Sequence, residues 1–255
     1  MSGSRRRRHR TNARAYKTRG VVLRGRQLGE ADRIYTLFTT ERGKLDAVAK
    51  GVRRAKSHLA GRLEFGNECE FGMHRGRTLD VIVSADIVRA PWSRLVEPAR
   101  FAAASAGAEL VEAFCEPDLA LPEIYDLLTG MIAAVETSPW PAELLPRFSA
   151  RLLDLLGFAP PPDACVRCGH ALAPDVAWID AEAGGLIDDR CRERWRDLPE
   201  LDAHDRENFR ALWMPKGAAA AARATPRVAR AVDELLAHHL GRRPRAGAHL
   251  SEFVR

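Results

Sequence analysis

The sequence Cys165-Val166-Arg167-Cys168-Gly169, followed by Gly184-Gly185-Leu186-Ile187-Asp188-Asp189-Arg190-Cys191, constrains the fold more than any other stretch of this chain. Two cysteines separated by two residues can both face one ion, because the turn between them curls back on itself. Gly169 permits the tight backbone that follows. A second pair at ribbon spacing would close a tetrahedron around zinc. Here Asp188 stands where that pair would place its other cysteine. The candidate ligands are therefore Cys165, Cys168, Asp188 and Cys191. His170 competes for the fourth position, and a third reading is a module that stands by packing without the ion. The intervening Trp178-Ile179-Asp180 reads as a short strand returning the chain.

The rest of the composition sets limits. At 255 residues with 46% hydrophobic content, the chain can build one large domain or two to three small ones. No apolar run approaches the ~20 residues that span a bilayer. The basic N-terminus has no apolar segment after it, so it does not read as a secretory signal, and a cytoplasmic location is expected. Cys69 and Cys115 sit alone in apolar surroundings and read as core residues.

Charge is segregated along the chain. The segment through Arg89 sums to +12, whereas residues 90–255 sum to −6. The Arg-rich arm, residues 1–14, is too polar to fold alone. A cationic front half favours a polyanionic partner.

Residues 15–90 alternate as strands do. Tyr16–Arg26, Ile34–Thr40 and Leu45–Ala49 are β candidates separated by turns at Gly29–Asp32 and Glu41–Lys44. In Leu63–Met73, the residues Phe65, Cys69, Phe71 and Met73 share one parity, and Glu64, Glu68 and Glu70 the other. Leu79, Val81, Val83, Ala85 and Ile87 form a further alternating set. Five short strands point to a small barrel of the OB type. Lys50, Arg53, Arg54 and Lys56 crowd one inter-strand loop, well placed to follow a phosphate backbone; Arg75 and Arg77 occupy another turn. Tyr16, Tyr35, Phe38, Phe65 and Phe71 are candidate stacking platforms, with core as the favoured role for each.

Beyond Pro91 the period becomes helical. Residues 97–116 carry Leu110, Val111, Phe114 and Cys115 on an inner side. Ile124, Leu127, Leu128, Met131, Ile132 and Val135 fall on one face, as do Leu144, Leu145, Phe148, Leu152, Leu155 and Leu156. Pro160-Pro161-Pro162 leads stiffly into the cysteine module. Thr225-Pro226 starts a last helix with Val228, Val232, Leu235, Leu236 and His239 as its stripe and Gly241 as its exit. The fold class is α+β: a five-stranded barrel over 15–90, a helical domain over 91–160 and 198–255, and a zinc-ribbon-like module inserted at 161–197. The alanine run 217–222 fits helix or loop.

An ordered set of motifs resembles a known family. It comprises Tyr16-Lys17-Thr18-Arg19-Gly20-Val21-Val22-Leu23, Gly29-Glu30-Ala31-Asp32-Arg33, Leu37-Phe38-Thr39-Thr40-Glu41-Arg42-Gly43-Lys44 and Ala49-Lys50-Gly51-Val52-Arg53-Arg54. Leu63-Glu64-Phe65, Leu155-Leu156-Gly157-Phe158, the Cys165 knuckle and Gly184-Gly185-Leu186 follow in the same order. Together they resemble the bacterial recombination mediator family RecO; residues 1–14 lie outside the resemblance. The resemblance implies a non-enzymatic protein that binds single- and double-stranded DNA and anneals complementary strands. It implies RecR and single-strand-binding protein as partners, and the recombinase RecA as an indirect one, in recombinational repair near the nucleoid. It also implies one structural zinc on Cys165, Cys168 and Cys191, and DNA contacts at Lys44, Lys50, Arg53 and Arg54. Lys17, Arg19, Arg33 and Lys56 complete the candidate contacts.

No phosphate-binding G-x-x-x-x-G-K-S/T loop is present, so nucleotide hydrolysis is not expected. The competing reading is a metal-dependent nuclease using the acidic pair Asp188 and Asp189.

Overall fold

The computed structural model describes residues 14–91, 96–139, 143–214 and 224–245. The Arg-rich arm up to residue 13 and the alanine run 217–222 lie outside the described residues. Five strands follow one another: β1 (Ala15–Leu28), β2 (Asp32–Thr39), β3 (Gly43–Ala49), β4 (Glu68–His74) and β5 (Asp80–Arg89). β1 is long enough to pair twice. Its first half runs antiparallel to β4, from Ala15 opposite His74 to Val21 opposite Glu68. Its second half pairs with β2, ending at Leu28 opposite Asp32. β3 meets β5 in parallel and β5 returns to β4, so the sheet closes in the order 1-2-3-5-4, as expected of an OB-fold.

The barrel interior holds Val22, Tyr35, Leu37, Leu45, Ala47, Cys69, Phe71, Met73, Ile82 and Ala85. Strand β2 is buried on both faces from Ile34 to Thr39. The cause lies outside the barrel: Val21, Leu23 and Phe38 join the core of the helical region.

Two sequence expectations for the strands need correction. The alternation expected along β5 does not hold. Ile82 and Ala85 face inward, while Val83 and Ile87 are 56% and 46% exposed. The ladder explains Val83: Met73 pairs with Ile82 and Gly72 with Ser84, which skips Val83, whereas Ile87, opposite Cys69, keeps the register of Ala85, ahead of a second shift that skips Val88. Each such bulge inserts a residue and reverses the parity beyond it. The strand expected to begin at Leu63 begins at Glu68 instead. Residues 63–67 form a turn braced by buried Asn67, whose Nδ2 donates to the carbonyls of Gly61 and Arg62 at 3.2 and 3.1 Å.

Three helices follow: α1 (Pro98–Phe114), α2 (Pro122–Thr137) and α3 (Leu144–Leu155). Proline at the first turn of α1 and α2 suits a position with no intrahelical N–H bond to lose. The stripe read for α2 is buried except at Leu127, which is half-buried, and it gains Tyr125. The buried stripe of α3 is rotated by one position, adding Ala150 and Leu153, while Leu155 and Leu156 sit at its margin. The chain then forms a small antiparallel sheet of β6 (Val176–Asp180), flanked by β7 (Gly185–Ile187) and β8 (Glu200–Asp202). Helices α4 (Ala203–Trp213) and α5 (Pro226–Leu240) complete the fold. Thr225 caps α5 by accepting the Val228 N–H at 3.2 Å, and Gly241 ends it with φ 66°. Among the described residues no helix is long and apolar enough to cross a membrane.

Barrel and helices share a buried seam. Phe38 stacks on Tyr125 of α2 with ring centroids 6.5 Å apart. The Tyr125 hydroxyl donates to Glu68 Oε1 at 2.7 Å, and Arg19 Nε donates to the same oxygen at 2.8 Å. Glu68, read from sequence as facing water, is only 8% exposed. Lys44 Nζ donates to the carbonyl of Glu112 near the end of α1 at 2.6 Å, which satisfies a terminal helix carbonyl. Gly43 has φ 61°, and a Cβ there would stand 1.8 Å from the Leu119 carbonyl oxygen, so only glycine lets the α1–α2 connection approach. Arg42 binds Tyr16 and Asp80 in the barrel and Asp118 in that connection. Burial and the adjacent Asp80 carboxylate push the Tyr16 hydroxyl up to about 12.

Replacing Tyr125 by Phe removes one of the two donors that hold buried Glu68. The expected loss is about 1–3 kcal/mol, the cost of under-satisfying a buried polar group. Chemical denaturation of Tyr125→Phe beside wild type measures it; equal midpoints would show that the seam does not depend on this bond.

Candidate nucleic-acid interface and metal centre

One end of the barrel gathers cations. The turn between β1 and β2 and the loop after β3 lie side by side. Gly51 N–H donates to Asp32 Oδ1 at 2.7 Å, and Arg53 N–H donates to the Ala31 carbonyl at 3.0 Å. The loop is further stiffened by Arg54 N–H to Gly51 O and Ser57 N–H to Arg54 O. These bonds present Lys50, Arg53, Arg54 and Lys56 to solvent. Arg33 belongs to the same end, because its strand partner Ala49 immediately precedes Lys50. Arg53 is anchored by an Nη1 bond to the Glu30 carbonyl at 3.0 Å, which satisfies a donor while leaving its charge unneutralised.

The other three candidate contacts lie elsewhere. Lys17 is exposed on β1 opposite Gly72, toward the far end. Arg19 and Lys44 take part in the seam between barrel and helices. Of the aromatic candidates, Tyr35, Phe38 and Phe71 are buried. Phe65 packs edge-on against Phe101 of α1 at 5.3 Å, and the guanidinium groups of Arg42 and Arg75 lie 5.5 and 5.6 Å from the centre of the Tyr16 ring. The arrangement offers fixed positive charge rather than a row of stacking surfaces.

The cysteine module is built as its spacing implies. Gly169 adopts φ 74°, and its N–H donates to the Cys165 carbonyl at 2.8 Å, closing the knuckle. Val166 N–H donates to Leu186 O at 2.9 Å and ties the knuckle to β7. The sulfurs of Cys165, Cys168 and Cys191 lie within 4.8 Å of one another. Tetrahedral zinc with bonds near 2.3 Å places its sulfurs roughly 3.8 Å apart, so the three thiols fit that ion. Burial pushes the Cys165 thiol up, but the amide N–H groups of Asp188, Cys168 and Arg167 directed at its sulfur outweigh this and bring it down to about 7. Cys191, sharing hydrogen bonds with the other two thiols, is pushed up to about 11. Cys165 therefore ionises more readily than an ordinary thiol, and a bound cation would favour the thiolate form of its ligands.

Asp188 does not converge with them. Its Oδ1 accepts from Arg190 N–H and Arg190 Nε, both at 3.0 Å, and its backbone begins the short 3-10 turn Asp189–Cys191. His170 is exposed and outside the cluster. Asp189 pairs with Arg194 at 3.0 Å. Among the described residues, the group able to hold an ion is the three cysteines, and the acidic pair read as a nuclease centre is engaged with arginines.

A buried carboxylate supports the knuckle. Asp180, at the end of β6, is fully buried. It accepts Arg167 Nε and Nη2 at 2.9 and 2.6 Å, and Arg196 Nη1 at 3.3 Å. Arg167 is one of the two residues between Cys165 and Cys168, so this clamp fixes the knuckle on the small sheet. Arg192 lies over the Trp178 ring at 4.7 Å.

Comparison with known proteins agrees with these halves. The family model described as Recombination protein O N terminal matches residues 13–91, and that described as Recombination protein O C terminal matches residues 96–247. The chain belongs to the RecO family. It is 36% identical over 191 residues to a protein named DNA repair protein RecO from Heliobacterium modesticaldum (strain ATCC 51547 / Ice1), spanning 72% of this chain and 68% of that one. It is 34% identical over 182 residues to a protein of the same name from Nocardioides sp. (strain ATCC BAA-499 / JS614), spanning 69% and 74%. The RecO resemblance drawn from ordered motifs is therefore correct, and the two matched segments meet between β5 and α1.

Within this RecO-family chain, sequence reasoning missed Glu68 and Asp180. A usable signal existed for Asp180, an acid closing the apolar run Val176-Ala177-Trp178-Ile179. Glu68 carried no such mark, since one glutamate in an alternating strand reads as solvent-facing. Asp180→Ala should destabilise the module by about 2–3 kcal/mol, at the low end for a broken buried pair because Arg167 stays partly solvated. Accelerated labelling of Cys165 by a thiol reagent would report the loosened knuckle; unchanged labelling would show that Asp180 does not hold it.

Proposed function

We propose that this protein is a DNA-binding mediator of recombinational repair that holds single- and double-stranded DNA by its phosphates and anneals complementary strands. The observation that carries this reading is the cluster of Arg33, at the start of β2, with Lys50, Arg53, Arg54 and Lys56 of the braced loop after β3, at one end of an OB-type barrel. Two polynucleotide strands repel one another. A fixed cationic surface lowers that repulsion and releases counterions as each strand docks, so the free energy comes largely from charge and little from base identity. The Arg-rich arm adds charge of the same sign. No bond is made or broken in this scheme, so the protein acts as a binder and not as an enzyme.

The names of the curated relatives, DNA repair protein RecO, support the same assignment. RecR and single-strand-binding protein are the proposed protein partners, with the recombinase RecA served indirectly as it displaces single-strand-binding protein. The proposed metal is one structural zinc on Cys165, Cys168 and Cys191. It would staple the knuckle to β7 and the Asp189–Cys191 turn. The proposed site of action is the cytoplasm, at the nucleoid.

Changing Arg53 and Arg54 together to Ala should weaken binding to all sequences alike. It should also flatten the dependence of log affinity on log salt by up to about two units. An unchanged slope would remove the loop from the interface. Mixing wild-type protein with two labelled complementary oligonucleotides and magnesium should yield duplex faster than the oligonucleotides do alone, without shortening either strand. Strand cleavage would overturn the reading in favour of a nuclease.

A further inference from the structure

The two ends of the cysteine module repeat one turn with different chemistry. Cys165, three residues before Cys168, accepts the amide N–H groups of Arg167 and Cys168 at its sulfur. Asp188 stands three residues before Cys191, and its Oδ1 accepts the corresponding Arg190 N–H at 3.0 Å. The carboxylate thus reproduces the turn-forming role of the absent cysteine. It does not reproduce the ligating role. The same oxygen takes Arg190 Nε at 3.0 Å, the Ala173 N–H also points at the carboxylate, and the atoms that converge are the three sulfurs. His170 is outside the cluster. A tetrahedral ion held here would have three corners filled by the chain. Cys168 is exposed and Cys191 half-exposed, so the cluster lies at the surface of the module.

We propose that this centre holds one thiophilic divalent ion through Cys165, Cys168 and Cys191 alone, with the fourth position open to a monodentate donor from outside the chain. Asp188 is a positioning residue that sets the turn carrying Cys191. Water fills the open position by default, and a small thiol or imidazole replaces it. Three thiolates and a dication leave one net negative charge where four thiolates would leave two, which lowers the barrier to an incoming anionic donor. Exchange at that position moves no electrons and breaks no bond within the chain. The proposal rests on the metal-binding part of the function proposed above.

The test loads the full-length, metal-free protein with Co2+ and follows its absorption while imidazole or 2-mercaptoethanol is added. Wild type should take up one ion per chain and show a saturable shift of its ligand-field bands. Asp188→Asn, which keeps an oxygen acceptor for Arg190, should bind the same amount and respond alike. Asp188→Ala, which lacks the acceptor, should bind about tenfold to a hundredfold more weakly, the range for groups that support ligands. Asp188→Cys should give a four-sulfur spectrum that ignores both additives, and should surrender Zn2+ to a chelator at least about tenfold more slowly than wild type. A wild-type spectrum that ignores both donors overturns the proposal, and so does a different spectrum in Asp188→Asn. The wild-type titration stands whether or not any variant folds. Failure of wild type to take up an ion overturns the metal-binding reading and the proposal together, whereas uptake without response overturns the proposal alone.

Discussion

A carboxylate withdrawn from water holds this molecule together. Glu68 belongs to the barrel, yet one of its donors, Tyr125, comes from a helix, and the other, Arg19, from the neighbouring strand. Removing a charged group from solvent is unfavourable unless donors meet it, so the pairing of barrel with helices is a condition for β4 to sit where it does. The adjoining Phe38–Tyr125 stack and the apolar groups Val21 and Leu23 supply the burial around it. Without the helices these side chains would lie on the outside of the barrel. The front half thus has one core of its own and a second that it shares.

That sharing decides which surfaces remain free. Helices cover the outer side of β1 and β2, and the cationic loops project from the end of the barrel beyond them. The basic residues of the front half consequently divide into two populations. Arg19, Arg42 and Lys44 meet carboxylates or a helix carbonyl in the seam. Arg33, Lys50, Arg53, Arg54 and Lys56 are exposed at the end of the barrel. Only the second population has charge available to a distant polyanion at moderate ionic strength.

The strands of the barrel, four of the five described helices and the knuckle were legible because each follows a local rule: alternation, a 3.6-residue stripe, a proline start, a glycine exit; α4, at Ala203–Trp213, was not read. The failures have local causes too. The parity of β5 was misread because the bulge at Val83 leaves no mark in the run Val81-Ile82-Val83. The partner that Lys44 takes within the fold was not legible, because nothing in its neighbourhood names Glu112, 68 residues away. Asp188 was placed correctly along the chain, but spacing alone could not separate an acceptor for Arg190 from an acceptor for a metal. Residues that act within one turn were readable, and residues that act across the seam were not.

The tether at Lys44 also behaves differently from the loop cations when ions are added. Its ammonium group is partly enclosed and ends on a peptide dipole at the close of a helix, a contact that mobile ions reach poorly. The loop charges stand in open solvent, where a screening atmosphere forms freely. Raising the electrolyte concentration therefore weakens the field of the loops while the Lys44 tether persists, so a polyanion docked as proposed would depart before that contact opens.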